Sequence, residues 1–500
     1  MAAAHPDATA WRNLADGSEL SFGDWDAQSV RLARGLIDQG LRPADRVVIA
    51  VGPDEPFPWL ITYTAVHRAG AVAVPVNTRL AGPELRTILT HAEPTAVLAS
   101  PATDIGVPWA EATEQLNGAR GVATTTGGHG THDWSALFHS DSSPLPPLPD
   151  GDGPMDIMYT SGTTGAPKAV VVRHDPDPAG QPADWNGLGF MTSSPFSTTS
   201  GVLLVYGPMR GGLSGWYQPR FDPGQWLSRV ELQRPVAAFV VPAMAQLIVA
   251  HPGYERADLS SLAALTIGGA PITRATLRRL GDRLPGSDIL VGYGLTEFGA
   301  VSRSPSGDKG RHLGAAGRPL PGVEIRIVGS DGVGLDRGQV GEITVRGNGP
   351  PRQYYKPETD TPSPWRDGWL SSGDLGYLDD DGFLWITGRT KELIIRGGHN
   401  IAPGEVEEVL YAHPDVVEAA VAGIPHHVLG EDVGAWVVLS EGSDTTAADL
   451  RSFLLERLAD FKVPRQLRII DQLPRNASGK VVKSQLASTR RPVPAPGSSR

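Results

Sequence analysis

The sequence contains no cysteine, so it has no disulfide framework, no thiol nucleophile and no cysteine-ligated metal. It also lacks an excess of positive charge: the formal net charge is −11, and binding of nucleic acid through a generally basic surface is not expected. No run of about 20 apolar residues could span a bilayer, and residues 1–21 lack the basic and apolar segments of a secretory signal. These absences predict a cytoplasmic protein with no transmembrane segment and no nucleic-acid partner.

Lysine is scarce. The chain has seven lysines, none before Lys168, whereas arginine is plentiful. A lysine in this chain is therefore not a default surface residue, and each one invites a functional interpretation. Glycine and proline are abundant instead, with 60 and 44 residues, and without a short period they indicate many turns and loops. The 500 residues, 40% apolar and 20% charged, are typical of a folded protein with two or three domains.

The hydrophobic pattern predicts two kinds of organisation along the chain. In the first part, helical patterns alternate with short apolar runs, which is typical of parallel sheets with crossover helices. The helices are predicted at residues 27–39, 59–67, 83–90 and 243–250, and the strands at 46–51, 71–76, 237–241 and 262–267. Short β-like runs follow at 323–328, 341–346 and 383–386, and then an α+β unit with helices at 405–411 and 447–458 and strands at 416–421 and 435–439. Residues 142–153 are predicted as a loop and residues 489–500 as a disordered tail.

The clearest motif is YTSGTTGAPK at residues 159–168, between the apolar stretches 155–158 and 169–172. Its glycines, serine and threonines offer open backbone N–H groups and hydroxyl donors, and Lys168 adds a positive charge, as an oligophosphate needs. The motif is not the common nucleotide P-loop, because Lys168 does not directly follow the second glycine and no Ser or Thr comes after it. A plain hairpin would explain the glycines but not two hydroxyl pairs beside a rare lysine, so phosphate binding is favoured.

Three further motifs are ambiguous when each is taken alone. GYGLTE at residues 292–297 follows an apolar run and could be a strand and turn with an exposed carboxylate. SGDLGY at 372–377 and GRTKE at 388–392 offer an Asp on a tight turn and a nearby Arg, which suit ribose hydroxyls and phosphate but also a plain turn. PRNASGK at 474–480 presents a second rare lysine in a loop that is also typical of a solvated turn.

The order and joint presence of these motifs closely resemble the adenylate-forming superfamily of acyl- and aryl-CoA synthetases, peptide-synthetase adenylation domains and firefly luciferase. The resemblance covers residues 24–486. It implies an α/β fold with a large N-terminal domain of mixed sheets and packed helices (1–390), a small mobile α+β C-terminal domain (391–487) and a tail (488–500). It also implies two half-reactions: a carboxylate attacks the α-phosphate of Mg·ATP to give acyl-adenylate and pyrophosphate, and a thiol then attacks the acyl carbon and expels AMP.

The resemblance also implies which residues bind the nucleotide. In the adenylation step, Lys480 would bridge carboxylate and phosphate oxygens, Thr296 would hold the α-phosphate and Glu297 would hold Mg²⁺. The expected ATP- and AMP-binding residues are Thr160, Ser161, Gly162, Thr163, Thr164, Gly165 and Lys168 around the phosphates, Gly268, Gly269, Ala270, Tyr293 and Gly294 at the adenine, and Asp374 and Arg389 at the ribose. A magnesium ion and a lysine placed between two approaching anions stabilise the transition state by a factor of ~10²–10³ in rate.

A change of domain arrangement between the half-reactions is a second implication of the resemblance. The small domain would rotate about the hinge residue Lys391 and withdraw Lys480 from the site. The same rotation would bring the CoA-binding segment Arg396, Gly397 and Gly398 toward the pantetheine tunnel. One small domain would therefore serve both steps with different faces.

The chain departs from the family pattern near the site. Ala169 stands where a glycine is common, and DPDPAGQP at residues 175–182 is hostile to the helix that usually follows. Ser197 stands where many acyl-CoA synthetases have a His and peptide-synthetase domains an Asp, and it has no charge to pair with an amino acid's α-amino group. Several small residues suggest a roomy acyl pocket and an aliphatic or bulky ring-bearing acid rather than acetate: Gly201, Gly207, Gly211, Gly212 and Gly215.

We therefore predict an acid–thiol ligase, an AMP-forming acyl-CoA synthetase of lipid or fatty acid metabolism that uses a carboxylic acid, Mg·ATP and CoA. The chain ends soon after Lys483 without a carrier domain, which makes free CoA the simplest acceptor. The alternative is a stand-alone enzyme that loads an acyl-carrier protein, and the sequence does not separate the two. A luciferase-like oxygenase shares the fold but nothing favours it, and the intact Lys168, Glu297, Asp374 and Lys480 argue against a non-catalytic nucleotide-binding paralogue. The sequence leaves open whether the protein is a homo-oligomer.

Overall fold

The computed structural model describes residues 1–100, 103, 121–124, 132–146, 153–160, 168–173, 184–308, 312–357, 363–475 and 481–488. Its helices are α1 (Phe22–Asp38), α2 (Pro56–Arg68), α3 (Gly82–Ala92), α4 (Thr199–Arg210), α5 (Pro223–Gln233), α6 (Pro242–Ala250), α7 (Arg274–Arg283), α8 (Pro403–Tyr411), α9 (Ala447–Leu455) and α10 (Lys483–Ser488). Its strands are β1 (Thr9–Asn13), β2 (Glu19–Ser21), β3 (Arg46–Ala50), β4 (Val72–Pro75), β5 (Ala96–Ala99), β6 (Gly121–Thr124), β7 (His132–Asp133), β8 (Pro154–Thr160), β9 (Lys168–Arg173), β10 (Gly189–Thr192), β11 (Ser214–Tyr217), β12 (Ala237–Val240), β13 (Ala264–Gly268), β14 (Asp288–Leu295), β15 (Gly299–Arg303), β16 (Arg318–Pro319), β17 (Val323–Val328), β18 (Gly341–Gly347), β19 (Trp365–Arg366), β20 (Trp369–Leu378), β21 (Leu384–Arg389), β22 (Ile394–Arg396), β23 (His399–Ile401), β24 (Val416–His426), β25 (Gly430–Leu439) and β26 (Gln466–Ile469).

Two large sheets, mostly parallel, make up the first part of the molecule. One has nine strands in the order β16-β15-β14-β13-β12-β10-β11-β1-β2, parallel from β14 to β1 and antiparallel at both edges. The other has seven strands in the order β7-β6-β5-β3-β4-β8-β9, parallel except for the β8–β9 hairpin. Ligands of such sheets bind beyond the carboxyl ends of the parallel strands. The chain segments that leave those ends are therefore the place to look for a site.

One buried apolar cluster joins these two sheets. It combines side chains of α1 and α2 with side chains from strands of both sheets, and its largest members, Trp11, Trp59 and Tyr63, are at most 2% exposed. Separate clusters cover the opposite face of each sheet, built with α5 to α7 on one and α3 on the other. Burial of apolar surface contributes ~25 cal/mol per Å², so the packing of these two sheets and their helices is the main source of stability.

Two smaller sheets follow. Strands β17, β18, β20, β19 and β21 form an antiparallel sheet with its own buried cluster around Ile343 and Val345. Residues 390–392 then form a short 3₁₀ helix that leads into the last sheet, β23-β22-β25-β24 with β26 parallel to β25. Helices α8 and α9 pack on this sheet. In the described part of the chain, no helix is long and apolar enough to cross a membrane.

The predicted α/β fold class, with a large N-terminal and a small α+β C-terminal part, is confirmed. The predicted helices and strands are present, and the differences lie at their ends. Helix α1 begins at Phe22 rather than at residue 27, because the Ser21 side chain accepts a hydrogen bond from the backbone N–H of Asp24 and caps the helix. Strand β24 continues to His426 because it pairs with β25 along its whole length. Residues 147–152 of the predicted loop and the tail 489–500 lie outside the described residues.

Candidate active site

The hairpin of β8 and β9 carries the two ends of the predicted phosphate loop. Thr160 ends β8 and Lys168 begins β9; their Cα atoms are paired, and the Thr160 hydroxyl lies 3.4 Å from the Lys168 carbonyl oxygen. The residues between them, among them Ser161, Gly162, Thr163, Thr164 and Gly165, lie outside the described residues. The Lys168 ammonium lies 5.2 Å from the centre of the Tyr354 ring, within the range of a cation–π interaction.

The hairpin of β14 and β15 carries the second motif. Leu295 pairs with Gly299, so Thr296 and Glu297 lie in the turn beyond the end of β14. The Thr296 hydroxyl is 2.9 Å from the hydroxyl of Thr199 at the start of α4, and the Thr296 carbonyl accepts a hydrogen bond from the Arg352 guanidinium at 2.9 Å. The turn is therefore held from two sides, by a helix N-terminus and by a loop.

The third motif forms a buried carboxylate site on the neighbouring antiparallel sheet. Asp374 of β20 is 4% exposed and pairs with Arg389 of β21. Its carboxylate accepts hydrogen bonds from the Tyr293 hydroxyl at 2.7 Å and from Arg389 Nε at 2.8 Å. Each oxygen keeps a further acceptor position, which suits the two hydroxyls of a ribose. Burial, and then the charge of Asp374, raises the pKa of Tyr293, so this phenol stays a donor.

The predicted adenine segment lies beside these two motifs. Gly268 ends β13 and pairs with Gly292 of β14, next to Tyr293. Gly269 follows with φ of +93°, a left-handed conformation that side chains rarely adopt, and Ala270 is exposed. Gly294 faces Ala300 across the hairpin, where an added Cβ would lie 2.5 Å from the Gly299 carbonyl oxygen. A larger residue would therefore disturb this wall of the site.

Two residues of the site, Arg352 and Tyr354, were not found from the sequence. They lie on the loop after β18, and this loop pairs with β9: the Val171 N–H donates to the Gln353 carbonyl, and the Tyr355 N–H donates to the Ala169 carbonyl, both at 2.8 Å. The Tyr354 hydroxyl donates to Glu297 Oε1 at 3.2 Å. Burial, and then Glu297, raises the pKa of Tyr354. No local motif signals this role, because it arises from pairing between segments about 180 residues apart.

The contacts join three of the predicted motifs into one connected site. Arg389 binds Asp374, Asp374 binds Tyr293, and Tyr293 leads along its hairpin to Glu297. From Glu297 the Tyr354 side chain reaches Lys168. One chain of contacts thus links Lys168 with the carboxylates of Glu297 and Asp374.

The small sheet carries the remaining predicted residues. Lys391 is exposed in the 3₁₀ turn, and Gly397 and Gly398 form the tight turn between β22 and β23 with φ of +56° and +88°. Arg396 Nε donates to Asp432 Oδ1 at 2.7 Å, with the Arg396 side chain 12% and the Asp432 side chain 4% exposed. Asp432 therefore holds one guanidinium nitrogen of Arg396 on the strand that precedes the turn.

Lys480 lies outside the described residues, but both ends of its loop are described. Arg475 forms a β-bridge with Val481, and the Val482 N–H donates to the Pro474 carbonyl at 2.8 Å. Lys483, just after the loop, lies 2.8 Å from Glu407 of α8 and 3.2 Å from Glu392, next to the predicted hinge residue Lys391. Burial alone would lower the pKa of Lys483, but the two carboxylates outweigh it and raise the pKa.

Two of the five glycines that suggested a roomy acyl pocket are explained by close packing instead, and the pocket itself stays a prediction. An added Cβ at Gly201 would lie 1.9 Å from the Pro195 carbonyl oxygen, and one at Gly215 would lie 2.6 Å from the Trp11 indole, so both serve close packing. Gly211 and Gly212 turn the chain after α4, and Gly207 faces open space on an exposed part of α4. A small cavity does adjoin Ser197, and its aromatic walls are Trp59, Phe196 and Tyr217.

The donor set around Glu297 fits magnesium rather than a metal with a full protein cage. No group of three or more His, Asp or Glu side chains suited to a metal occurs in the part of the chain that the structure describes. Magnesium is commonly held by one or two carboxylates together with substrate phosphates and water. Glu297, with the Thr296 hydroxyl beside it in the same turn, offers that chemistry.

Comparison with known proteins decides the family. Residues 1–355 match the family model described as AMP-binding enzyme, and residues 405–480 match the one described as AMP-binding enzyme C-terminal domain. A feruloyl-CoA synthase from Amycolatopsis is 35% identical over 500 residues, which cover 96% of both chains. The chain belongs to the AMP-binding enzyme family.

Further relatives of this AMP-binding enzyme agree. The indoleacetate–CoA ligase of Aromatoleum aromaticum is 33% identical over 94% of this chain and 92% of its own. The fatty acid–acyl-carrier-protein ligase ScoC of Streptomyces coeruleorubidus is 32% identical over 95% and 92%. Among solved structures, the amide bond synthetase McbA from Marinactinospora thermotolerans has a TM-score of 0.84 at 27% identity over 96% of both chains. The predicted superfamily and the predicted AMP-forming acid–CoA ligase, an ATP-dependent enzyme, are confirmed.

Proposed function

We propose that this AMP-binding enzyme activates a ring-bearing carboxylic acid with Mg·ATP and transfers the acyl group to CoA. The observation that carries the nucleotide part is the connected surface of Arg389, Asp374 and Tyr293 with Glu297 and Lys168. The class of acid is supported by two relatives, a feruloyl-CoA synthase and an indoleacetate–CoA ligase, whose named substrates both carry a ring.

In the adenylation step, the large domain (1–390) holds the nucleotide. Asp374 accepts the ribose hydroxyls while hydrogen bonds from Tyr293 and Arg389 orient its carboxylate. Residues 160–168 hold the phosphates, with the Lys168 charge among them, and Thr296 donates to the α-phosphate. The adenine lies against residues 268–270 and the Tyr293 ring. The contacts of Asp374, Thr296 and Lys168 support these assignments, because each of the three is held by a neighbour that leaves binding capacity unused.

Magnesium, bound by Glu297 and the phosphates, would neutralise charge on the triphosphate as the carboxylate approaches. Thr296 and Glu297 share one turn, so the metal-binding and α-phosphate-binding groups keep a fixed spacing. Lys480 of the small domain (391–487) would lie between the acid and the α-phosphate, where negative charge grows. No base is required, because the acid arrives as a carboxylate.

The second step uses the other face of the small domain. Rotation at Lys391 withdraws Lys480 and brings the turn of Gly397 and Gly398 toward the acyl-adenylate. The pantetheine thiol then attacks the acyl carbon, and AMP leaves with both electrons of the broken bond. The ion pair of Arg396 with Asp432 supports this role by fixing the strand that carries the turn.

A carrier protein is the alternative acceptor, and the similarity to ScoC favours keeping it as a second candidate. Both acceptors present the same pantetheine thiol, so the nucleotide site does not distinguish them. The difference lies in which surface the acceptor binds. CoA offers a 3′-phosphoadenosine and a carrier protein offers a folded domain.

The test is pyrophosphate release from Mg·ATP across a panel of acids, each with and without CoA. The panel pairs ring-bearing acids with aliphatic acids of equal carbon number, plus acetate. We expect release that depends on a ring-bearing acid, and a CoA thioester of the same acid. Turnover of aliphatic acids alone would refute the proposed class of acid. Formation of the adenylate without transfer to CoA would favour a carrier protein as the acceptor. Lys480→Ala should abolish the first half-reaction far more than ATP binding.

A further inference from the structure

The loop that supplies Tyr354 is fixed to the site on both sides. Its backbone adds to the free edge of β9, with Val170 and Tyr354 as an antiparallel bridge. Arg352, two residues earlier, bonds the Thr296 carbonyl, and the Trp365 indole N–H donates to the Arg352 carbonyl at 2.9 Å. A side chain on such a loop has little freedom, so its contacts are set by the fold.

The position of Tyr354 follows from strand register. Lys168 and Val170 lie two residues apart on β9 and point to the same face, and Tyr354 is the partner of Val170. Lys168 is therefore a diagonal neighbour of Tyr354, within reach of an aromatic side chain. The other end of the ring, the hydroxyl, points to Glu297.

Tyr354 thus stands between the cation and the anion of the site. Its ring contacts Lys168 and its hydroxyl donates to Glu297. Within the described residues, neither Lys168 nor Glu297 takes part in an ion pair. A lysine and a glutamate in one partly buried site attract each other. If they formed a direct ion pair, the lysine would be less available to phosphate and the carboxylate less available to the metal.

We propose that Tyr354 is a positioning residue that keeps Lys168 and Glu297 apart, so that the lysine binds phosphate and the carboxylate binds magnesium. This inference rests on the proposed function, which gives those two residues their ligands. At neutral pH a tyrosine is neutral, so it satisfies the carboxylate as a donor without adding a charge that would repel the metal. A lysine or arginine at this position could not do so.

The test uses two variants and a neighbouring control. Tyr354→Phe keeps the ring and removes the donor, and we expect the Mg²⁺ concentration at half-maximal adenylation to rise ~3- to 30-fold. Metal-free ATP binding, measured by calorimetry, should stay unchanged in this variant. Tyr354→Leu removes both contacts, and metal-free ATP affinity should also fall ~2- to 5-fold as Lys168 loses the ring. Tyr355→Phe is the control, because the Tyr355 hydroxyl donates to the Ala92 carbonyl at 3.5 Å and, among the described residues, makes no hydrogen bond to the site.

A double-mutant cycle distinguishes separation of charges from a purely structural role. Lys168→Met should weaken metal-free ATP binding in the native chain, and it should weaken it less in Tyr354→Leu, where the lysine is already engaged by Glu297. Equal losses in both backgrounds would overturn the inference, as would a Tyr354→Phe variant with native magnesium dependence. If Lys168→Met and Glu297→Gln themselves leave ATP binding and magnesium dependence unchanged, the proposed function fails instead.

Discussion

Replacing Lys483 by methionine tests how the loop of Lys480 is held. Lys483 is 25% exposed and contacts Glu407 at 2.8 Å and Glu392 at 3.2 Å, with those side chains 20% and 41% exposed. Methionine keeps the length of the side chain and removes its charge. The carboxylates of Glu407 and Glu392 then lose their shared cation at the base of the loop, and Glu392 lies next to the predicted hinge residue Lys391.

The cost in stability can be bracketed from the burial of the three groups. Exposed ion pairs contribute ~0–1 kcal/mol, whereas removing one partner of a fully buried pair costs ~3–5 kcal/mol. Lys483 is mostly buried and has two partners, so we expect a loss of about 2 kcal/mol in the free energy of unfolding. Its raised pKa means that this stability is fully present below the ordinary lysine value of about 10.4 and is lost as the pH rises through the folded value. The difference between native and variant should therefore be constant near neutral pH and should close in strong alkali.

The effect on activity should divide between the two half-reactions. A loop displaced by about 1 Å places Lys480 away from the reacting oxygens, so adenylate formation should slow by ~10- to 100-fold with little change in KM for ATP. Conversion of supplied acyl-adenylate to acyl-CoA does not use Lys480 and should change far less. The matched control is Lys462→Met, which removes a 24% exposed lysine that pairs with Glu405 at 2.6 Å elsewhere in the small domain. If Lys483→Met loses stability but forms adenylate at the native rate, Lys483 does not position the loop and the reasoning is refuted.

Three further changes follow from particular contacts. Asp374→Asn removes the charge that Tyr293 and Arg389 bind, and KM for ATP should rise ~10- to 100-fold. An unchanged KM would show that Asp374 does not bind the nucleotide. Ile343→Ala empties a fully buried position of the third sheet and should lower the free energy of unfolding in urea by ~2–5 kcal/mol; a loss below 1 kcal/mol, about the size of a surface change, would contradict that packing. The Glu408 carboxylate accepts a hydrogen bond from the Arg274 N–H, and burial raises the pKa of this carboxyl. The folded state therefore favours the neutral form, and the free energy of unfolding falls as the pH rises through that pKa. Glu408→Gln should therefore be at least as stable as the native protein at pH 7, and the advantage should shrink in acid; a less stable variant at pH 7 would be inconsistent with this sign.

Much of the site could be predicted from the sequence because each motif encodes its own local geometry. Hydroxyls, glycines and Lys168 in one hairpin, and Thr296 and Glu297 in another, are recognisable wherever they fold. The joint order of the motifs was enough to predict the family. Interpretation of single residues was weaker: the glycines near α4 suggested a pocket, but at Gly201 and Gly215 a neighbouring carbonyl or indole leaves no space for a Cβ.

The sequence by itself determined the fold class and the strand–helix alternation, and it predicted which residues bind nucleotide, since these depend on local periodicity and short motifs. Only the tertiary structure decided that Tyr354 contacts both Lys168 and Glu297, that Arg396 is bound by Asp432, and that Lys483 joins Glu392 to α8. Each of these contacts pairs segments far apart in the chain. Such pairs leave no local signature, because only the packing of whole sheets and helices fixes which distant side chains meet.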